Sequence, residues 1–357
     1  MPGSRGFFAV AFNTREPICR SAGSHSFAIL VIISCLAWTP LHCAEASAGA
    51  IVAEQADRLR VNNMDAVKGD DGWYFLTPEL RSYGQEKFWG ADAVKTAAAG
   101  KNQDPLKPIL DFNQALKNRG IALILVPVPG KVCVYGDKLD ARLASPEQLD
   151  APRKEFYALL QKEGVTVIDL LPDLIELRKK GTDAYCRQDT HWSPAAAHLA
   201  ARKIAEIVKS QPWYAQAKKN ETRTTTAELD VTGDMIEMLK EKDAPKERLT
   251  LEQISVNGRP AENDPTSPLI LMGDSHTLVF HEALLGDHAG LSDLLCAETG
   301  ICADLVAMRG GGANGPRIAL ARRKDDLKGK RCIVWCFTAR EFTESPDGWR
   351  AIPVIKE

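Results

Sequence analysis

Five short, largely apolar runs punctuate a mixed chain: Ile121–Val126, Val165–Asp169, Leu269–Met272, Ala303–Met308 and Cys332–Phe337. Each has strand length and is continuous rather than alternating, the signature of strands buried on both faces. Helix-period stretches lie between them, with Pro105–Lys117 and Pro152–Glu163 preceding the first two runs. A longer helix is predicted over Pro194–Lys209, where Leu199, Ala200, Ile204, Ile207 and Val208 form one apolar stripe. Ser193 is a good N-cap for it, and Pro194 occupies the first helical position, where a missing N–H costs nothing. Strands alternating with helices predict an α/β fold, a parallel sheet with helices on both faces. Thr277–Leu285 is helix-compatible, which places Gly273–Ser275 on a strand-to-helix turn at the carboxyl edge of that sheet, where ligands bind. Residues 215–266 break the pattern, being rich in Lys, Glu and Thr with one short helical signal at Asp234–Lys240. They read as an insertion that either lids a site or stays mobile.

The turn residue Ser275 is a hydroxyl, and a hydroxyl needs an imidazole to take its proton and an acid to hold that imidazole in one tautomer. Asp189-Thr190-His191-Trp192 supplies both upstream of Gly273-Asp274-Ser275-His276. An acid and an imidazole two residues apart meet only where the chain bends, and this pair sits in the loop leading into the helix that begins at Pro194. Ser275, His191 and Asp189 are therefore the expected catalytic set. Trp192 is expected beside the imidazole, and His198, off the apolar stripe, reads as solvated and without a role.

A net charge of −2 leaves no global field for steering a polyanion, so nucleic acid is excluded as a partner and an anionic polysaccharide would need a local basic patch. The run Arg317, Arg322, Arg323, Lys324, Lys328, Lys330 and Arg331 reads as a solvated helix face. Phe27–Trp38 is apolar, follows Arg15 and Arg20, and precedes Ala46-Ser47-Ala48. It is shorter than the roughly 20 residues a membrane span takes. This predicts a signal peptide, or an uncleaved signal anchor, over residues 1–48, with one domain over 49–357. In an oxidising compartment Cys296 and Cys302 are close enough to close a disulfide. Cys332 and Cys336, about 13 Å apart along one strand, are not. No cysteine has zinc-site spacing, so neither metal nor cofactor is expected.

Gly-Asp-Ser-His preceded by Asp-x-His-Trp resembles the periplasmic alginate O-acetyltransferase family, of AlgJ/AlgX type, in the SGNH (GDSL-like) hydrolase superfamily. The motif order is similar to a circular permutation of the common superfamily order, in which the Gly-Asp-Ser block comes first. Val67–Phe75, Val126–Lys131 through Tyr135, Gly233–Leu239 and Ile333–Glu341 resemble further family segments, so the likeness covers residues 64–342. Beyond residue 342 the carbohydrate-binding module of some members is not expected. The resemblance implies Gly312 and Asn314, in the glycine-rich stretch Arg309–Gly315, as oxyanion donors. Lys131, Tyr135 and Arg340 are the candidate substrate-binding residues, with an ion pair to Glu341 or Glu344 as the competing reading of Arg340.

Three functions fit these features. One is a periplasmic O-acetyltransferase passing an acetyl group from Ser275 to sugar hydroxyls of an alginate-like exopolysaccharide, supplied by a membrane-bound O-acyltransferase that the resemblance implies. The second is an acetylesterase using the same residues with water as acceptor. The third is a non-catalytic polysaccharide-binding assembly protein, for which an intact triad has no use.

Overall fold

Apolar runs of strand length separated by helix-forming stretches leave the chain few options, because parallel neighbours need a crossover between them. The structure, a computed structural model, describes residues 46–282 and 285–355; of the export segment expected over residues 1–48, residues 1–45 lie outside them. Along the described chain, β1 (Ala66–Lys68) and β2 (Tyr74–Leu76) form an antiparallel pair, followed by β3 (Ala122–Val128) and β4 (Thr166–Val167). Next come β5 (Thr222–Val231), β6 (Glu247–Val256) and β7 (Arg259–Pro260), then β8 (Leu269–Gly273), β9 (Asp304–Ala307) and β10 (Cys332–Thr338). The main sheet runs β4-β3-β10-β8-β9, and every pairing in it is parallel. This is the expected sheet, with strand bounds within two or three residues of those read from the sequence.

Side chains alternate across it. Ile124, Val126, Leu269, Leu271, Val334 and Cys336 face one apolar cluster, which the helix Pro194–Lys209 completes with Ala197, Ala200, Ile204 and Val208. Leu123, Leu125, Ile270, Met272, Ile333 and Trp335 face the other, covered by Phe112 of the helix Leu106–Lys117 and Phe156 of the helix Ala151–Lys162. β10 is central and buried along its whole length, so truncating Ile333 to Ala would cost about 2–5 kcal/mol. In register, Gly273 lies beside Cys336 and Thr338 beside Val128. The loops leaving β8, β10 and β3 therefore collect at one carboxyl edge.

Four expectations change. The helix after Ser275 covers only Ser275–Leu278, because the chain turns at Phe280, whose φ is 67°. The insertion is not a loose segment: β5 and β6 pair over their full lengths, and Leu249, Leu251 and Ile254 pack into the core. His198 is not solvated but is held between Glu252 at 2.9 Å and Glu298 at 3.0 Å. The basic run is only partly a solvated face. Arg317 is buried against Trp335 and Trp349, and Arg323 and Lys330 both pair with the buried Asp304. Cys296 and Cys302 form the expected disulfide, while Cys133, Cys186, Cys332 and Cys336 are buried thiols. Among the described residues, no helix is long and apolar enough to cross a membrane.

Candidate active site

The loop Cys186–His191 has no regular secondary structure, so its polar backbone must find partners elsewhere. It closes on itself where Cys186 N donates to His191 O at 3.2 Å, and the bend brings acid to base. Asp189 Oδ1 takes His191 Nδ1–H at 2.6 Å and His191 N–H at 3.0 Å, while Asp189 Oδ2 takes Asp234 N–H at 2.9 Å. Burial alone would push the Asp189 carboxyl up, but the His191 bond and charge with the two backbone donors outweigh it and bring it down to about 2. Burial likewise works against a charged His191, yet the bond and charge of Asp189 prevail and its pKa is raised. With Nδ1 committed, Nε2 is the ring's proton acceptor.

The turn that carries Ser275 is built by Asp274. Its carboxylate caps the short helix by accepting His276 N–H at 2.9 Å, and ties the turn to the end of β10 by accepting Thr338 N–H at 2.8 Å. Gly273 just before it has to be glycine, since a Cβ there would stand 2.0 Å from Cys336 O of the adjacent strand. Ser275 is half-buried as the first residue of the helix. Its neighbour His276 packs at a tilt against His191, ring centroids 4.8 Å apart, and Trp192 meets His276 edge-on at 5.5 Å. The two sequence motifs thus come together, with Trp192 beside His276. Burial pushes His276 down to about 4, so a neutral ring faces His191. The expected bond from Ser275 to His191 is not made: His191 Nε2 is buried and has no hydrogen-bond partner among the described residues. Bonds of this kind often tighten only when substrate is bound. The sequence marked His276 as the last residue of the Gly-Asp-Ser-His motif but gave it no role.

The remaining site residues divide. Lys131, expected to touch substrate, is buried and donates from Nζ to four carbonyls: Asp189 at 2.6 Å, Cys186 at 2.7 Å, Tyr74 at 3.1 Å and Arg187 at 3.3 Å. It anchors the acid-base loop instead. Tyr135, also expected at the substrate, is buried with its hydroxyl accepting Ala184 N–H at 2.8 Å and its ring stacked on Trp73 at 3.6 Å. Asn314 spends its amide on structure, donating to Gly348 O at 2.6 Å and accepting from Arg317 and Arg350 N–H, so it is not placed as a free oxyanion donor. Gly312, at φ 48°, rests against the Glu341 carboxylate, which also accepts Ala313 N–H at 3.3 Å. Arg340 leaves the end of β10 half-buried and donates to Thr338 Oγ1 at 3.1 Å. Among the described residues it pairs with neither Glu341 nor Glu344, and Glu344 is taken by Arg81. The charge of Arg340 bears on Glu79, His276 and Glu341.

Asp189, His191 and Asp234 bring their donor atoms within 4.8 Å of one another. Each of the four carboxylate oxygens already accepts an N–H or O–H, which is the geometry of a hydrogen-bonded brace.

A family model described as "SGNH hydrolase-like domain, acetyltransferase AlgX" matches residues 66–339. A Pseudomonas fluorescens protein described as "Probable alginate O-acetylase AlgJ" is 27% identical over 175 residues, 46% of this chain and 44% of the relative. The "Alginate biosynthesis protein AlgX" of the same species is 25% identical over 298 residues, 79% of this chain and 57% of the relative. The chain spans about half the length of these curated relatives. The solved O-acetyltransferase domain of Pseudomonas putida AlgJ shares the fold with a TM-score of 0.59 at 22% identity, covering 78% of this chain and 92% of that one. Pseudomonas aeruginosa AlgX does so with a TM-score of 0.62 at 18% identity, covering 87% and 70%. With the family match running from β1 to the end of β10, the chain belongs to the AlgX-type family of SGNH hydrolase-like acetyltransferase domains.

Proposed function

We propose that the chain is an exported, periplasmic O-acetyltransferase that acetylates sugar hydroxyls of an exopolysaccharide through an acetyl-Ser275 intermediate. The observation that carries this reading is the Asp189–His191 pair, joined at 2.6 Å with Nε2 unoccupied, beside the turn that bears Ser275. Ser275 Oγ attacks the acetyl carbonyl carbon while its proton passes to His191 Nε2. The leaving group departs with that proton, and the acetyl ester of Ser275 remains. A sugar hydroxyl then attacks, giving its proton to the same nitrogen, and Ser275 is regenerated. Asp189 orients the ring and stabilises the imidazolium without taking the proton.

The oxyanion of each tetrahedral intermediate is met by backbone N–H groups of Ser275 and Gly312. Ser275 opens its helix, so its N–H has no acceptor within that helix. Arg340 supplies a cation for substrate carboxylate or hydroxyl groups. The acetyl donor is a membrane-bound O-acyltransferase, and the acceptor is an alginate-like polymer, the material named in the descriptions of the relatives.

The test is to give the protein an activated acetyl ester and uronate oligosaccharides and analyse products by mass spectrometry. Acetylated oligosaccharide that disappears with Ser275→Ala supports the reading. Acetate released at the same rate with or without oligosaccharide, and no acetylated sugar, would make the protein an acetylesterase.

A further inference from the structure

The insertion also holds the loop that carries Asp189 and His191. Glu247, at the start of β6, accepts Arg187 N–H at 2.9 Å and Gln188 N–H at 3.3 Å, and Met235 N–H donates to Gln188 O at 3.2 Å. Asp234 does more, because it grips both Asp189 and Thr190 of the Asp189-Thr190-His191 bend. Its Oδ1 accepts Thr190 N–H at 2.8 Å, its Oδ2 accepts the Thr190 hydroxyl at 2.6 Å, and its own N–H donates to Asp189 Oδ2 at 2.9 Å. Gly233 lets this happen: a Cβ there would stand 2.1 Å from Gln188 O and 2.6 Å from Asp189 N, so any larger residue forces the two segments apart.

We propose that Asp234 is a positioning residue and that the insertion, through Gly233 and Asp234, clamps the general base in its reactive orientation. The inference rests on the reading of Asp189 and His191 as the acid-base pair. Of the two Asp189 oxygens, Oδ1 meets the imidazole, so the direction of the His191 ring depends on how the Asp189 carboxylate is rotated. Oδ2 fixes that rotation through Asp234 N–H. Thr190, between acid and base, is held at two atoms by the Asp234 side chain, so the peptide joining them has no freedom to swing. Displacing a catalytic group by about 1 Å costs on the order of 100-fold in rate.

Asp234→Ala, Asp234→Asn and Gly233→Ala are compared with Ser275→Ala on an activated acetyl ester, with melting temperature measured for each. The downfield proton resonance of His191 Nδ1–H, identified by its loss in His191→Ala, reports the Asp189–His191 bond directly. Asp234→Ala and Gly233→Ala are expected to lower kcat on the order of 100-fold with KM nearly unchanged, and to shift or broaden that resonance. Asp234→Asn keeps an acceptor for Thr190 N–H and should recover part of the loss. It carries the test if Asp234→Ala does not fold. Ester cleavage that survives Ser275→Ala overturns the catalytic reading itself. An inactive Ser275→Ala alongside folded Asp234 and Gly233 variants with wild-type kcat and an unmoved resonance overturns the clamp alone.

Discussion

Replacing Lys131 with methionine separates two roles that a lysine in this loop can have. Methionine keeps the length of the stem and removes the ammonium, leaving the carbonyls of Asp189, Cys186, Tyr74 and Arg187 without their shared donor. Hydrogen bonds from a charged group are worth about 1.5–3 kcal/mol each. Against their loss stands the release of a buried ammonium from a desolvation penalty of several kcal/mol, the effect that lowers the pKa of Lys131 despite the charges of Glu79 and Asp189. The balance is a destabilisation of about 3 kcal/mol. With an unfolding entropy of about 2.1 cal/mol/K per residue over roughly 300 ordered residues, this corresponds to a fall of about 5 °C in melting temperature. Activity should fall further than stability, because three of the four carbonyls belong to the loop that carries Asp189 and His191. The assay pairs thermal unfolding with steady-state kinetics on an activated acetyl ester, and the expected result is a lower melting temperature with a kcat reduced ten-fold or more. An unchanged melting temperature and kcat, with only KM for polysaccharide raised, would refute the structural argument and restore Lys131 as a substrate contact.

Two further outcomes follow from the charges. The kcat/KM for ester cleavage should rise with pH at a midpoint above the ordinary histidine value of 6.5, because Asp189 stabilises the imidazolium and the base works only once deprotonated; Asp189→Asn should move that midpoint down, and an unmoved midpoint would dissociate the pair. Asp150 is buried with both carboxylate oxygens unpartnered among the described residues, and burial pushes its pKa up from 3.8 to about 7. The folded state then binds the proton more tightly than the unfolded state, so stability falls as pH rises from about 4 to 7 and levels off above. Asp150→Asn should therefore raise the melting temperature at pH 8, relieving a cost on the order of 4 kcal/mol, and have little effect at pH 4; equal stabilisation at both would show that ionisation is not the cause.

What the sequence made legible was local. The apolar runs marked the strands of the main sheet, Ser193-Pro194 marked the start of its helix to the residue, and the short spacing of Cys296 and Cys302 marked their disulfide. The Asp189-x-His191 spacing in a loop, with a serine after an apolar strand, pointed to the site because each feature depends on nearest neighbours. Lys131 was misread because a lysine after Pro129-Gly130 looks exposed, and its burial depends on carbonyls contributed by distant segments. Asn314 was misread for the same reason, its amide being taken by Gly348 and Arg350 from the far end of the chain. The β5–β6 hairpin escaped because only β6 shows apolar alternation; β5 is largely exposed threonine and charge, with its register set by pairing rather than by its own pattern. Asp234 was seen as part of a helical signal and of a family-like segment but given no role, since its value lies in contacts made across the fold.

The central claim is that Ser275 carries the acetyl group. A reaction with an activated acetyl ester, stopped by acid within the first turnover and digested for peptide mass mapping, addresses it directly. The account predicts one added acetyl group on the peptide containing Ser275, absent in Ser275→Ala, strongly reduced in His191→Ala and lost on incubation with an acceptor sugar. Full turnover with no acetyl on Ser275, or an acetyl group on another residue that forms and decays at the rate of the reaction, would contradict it.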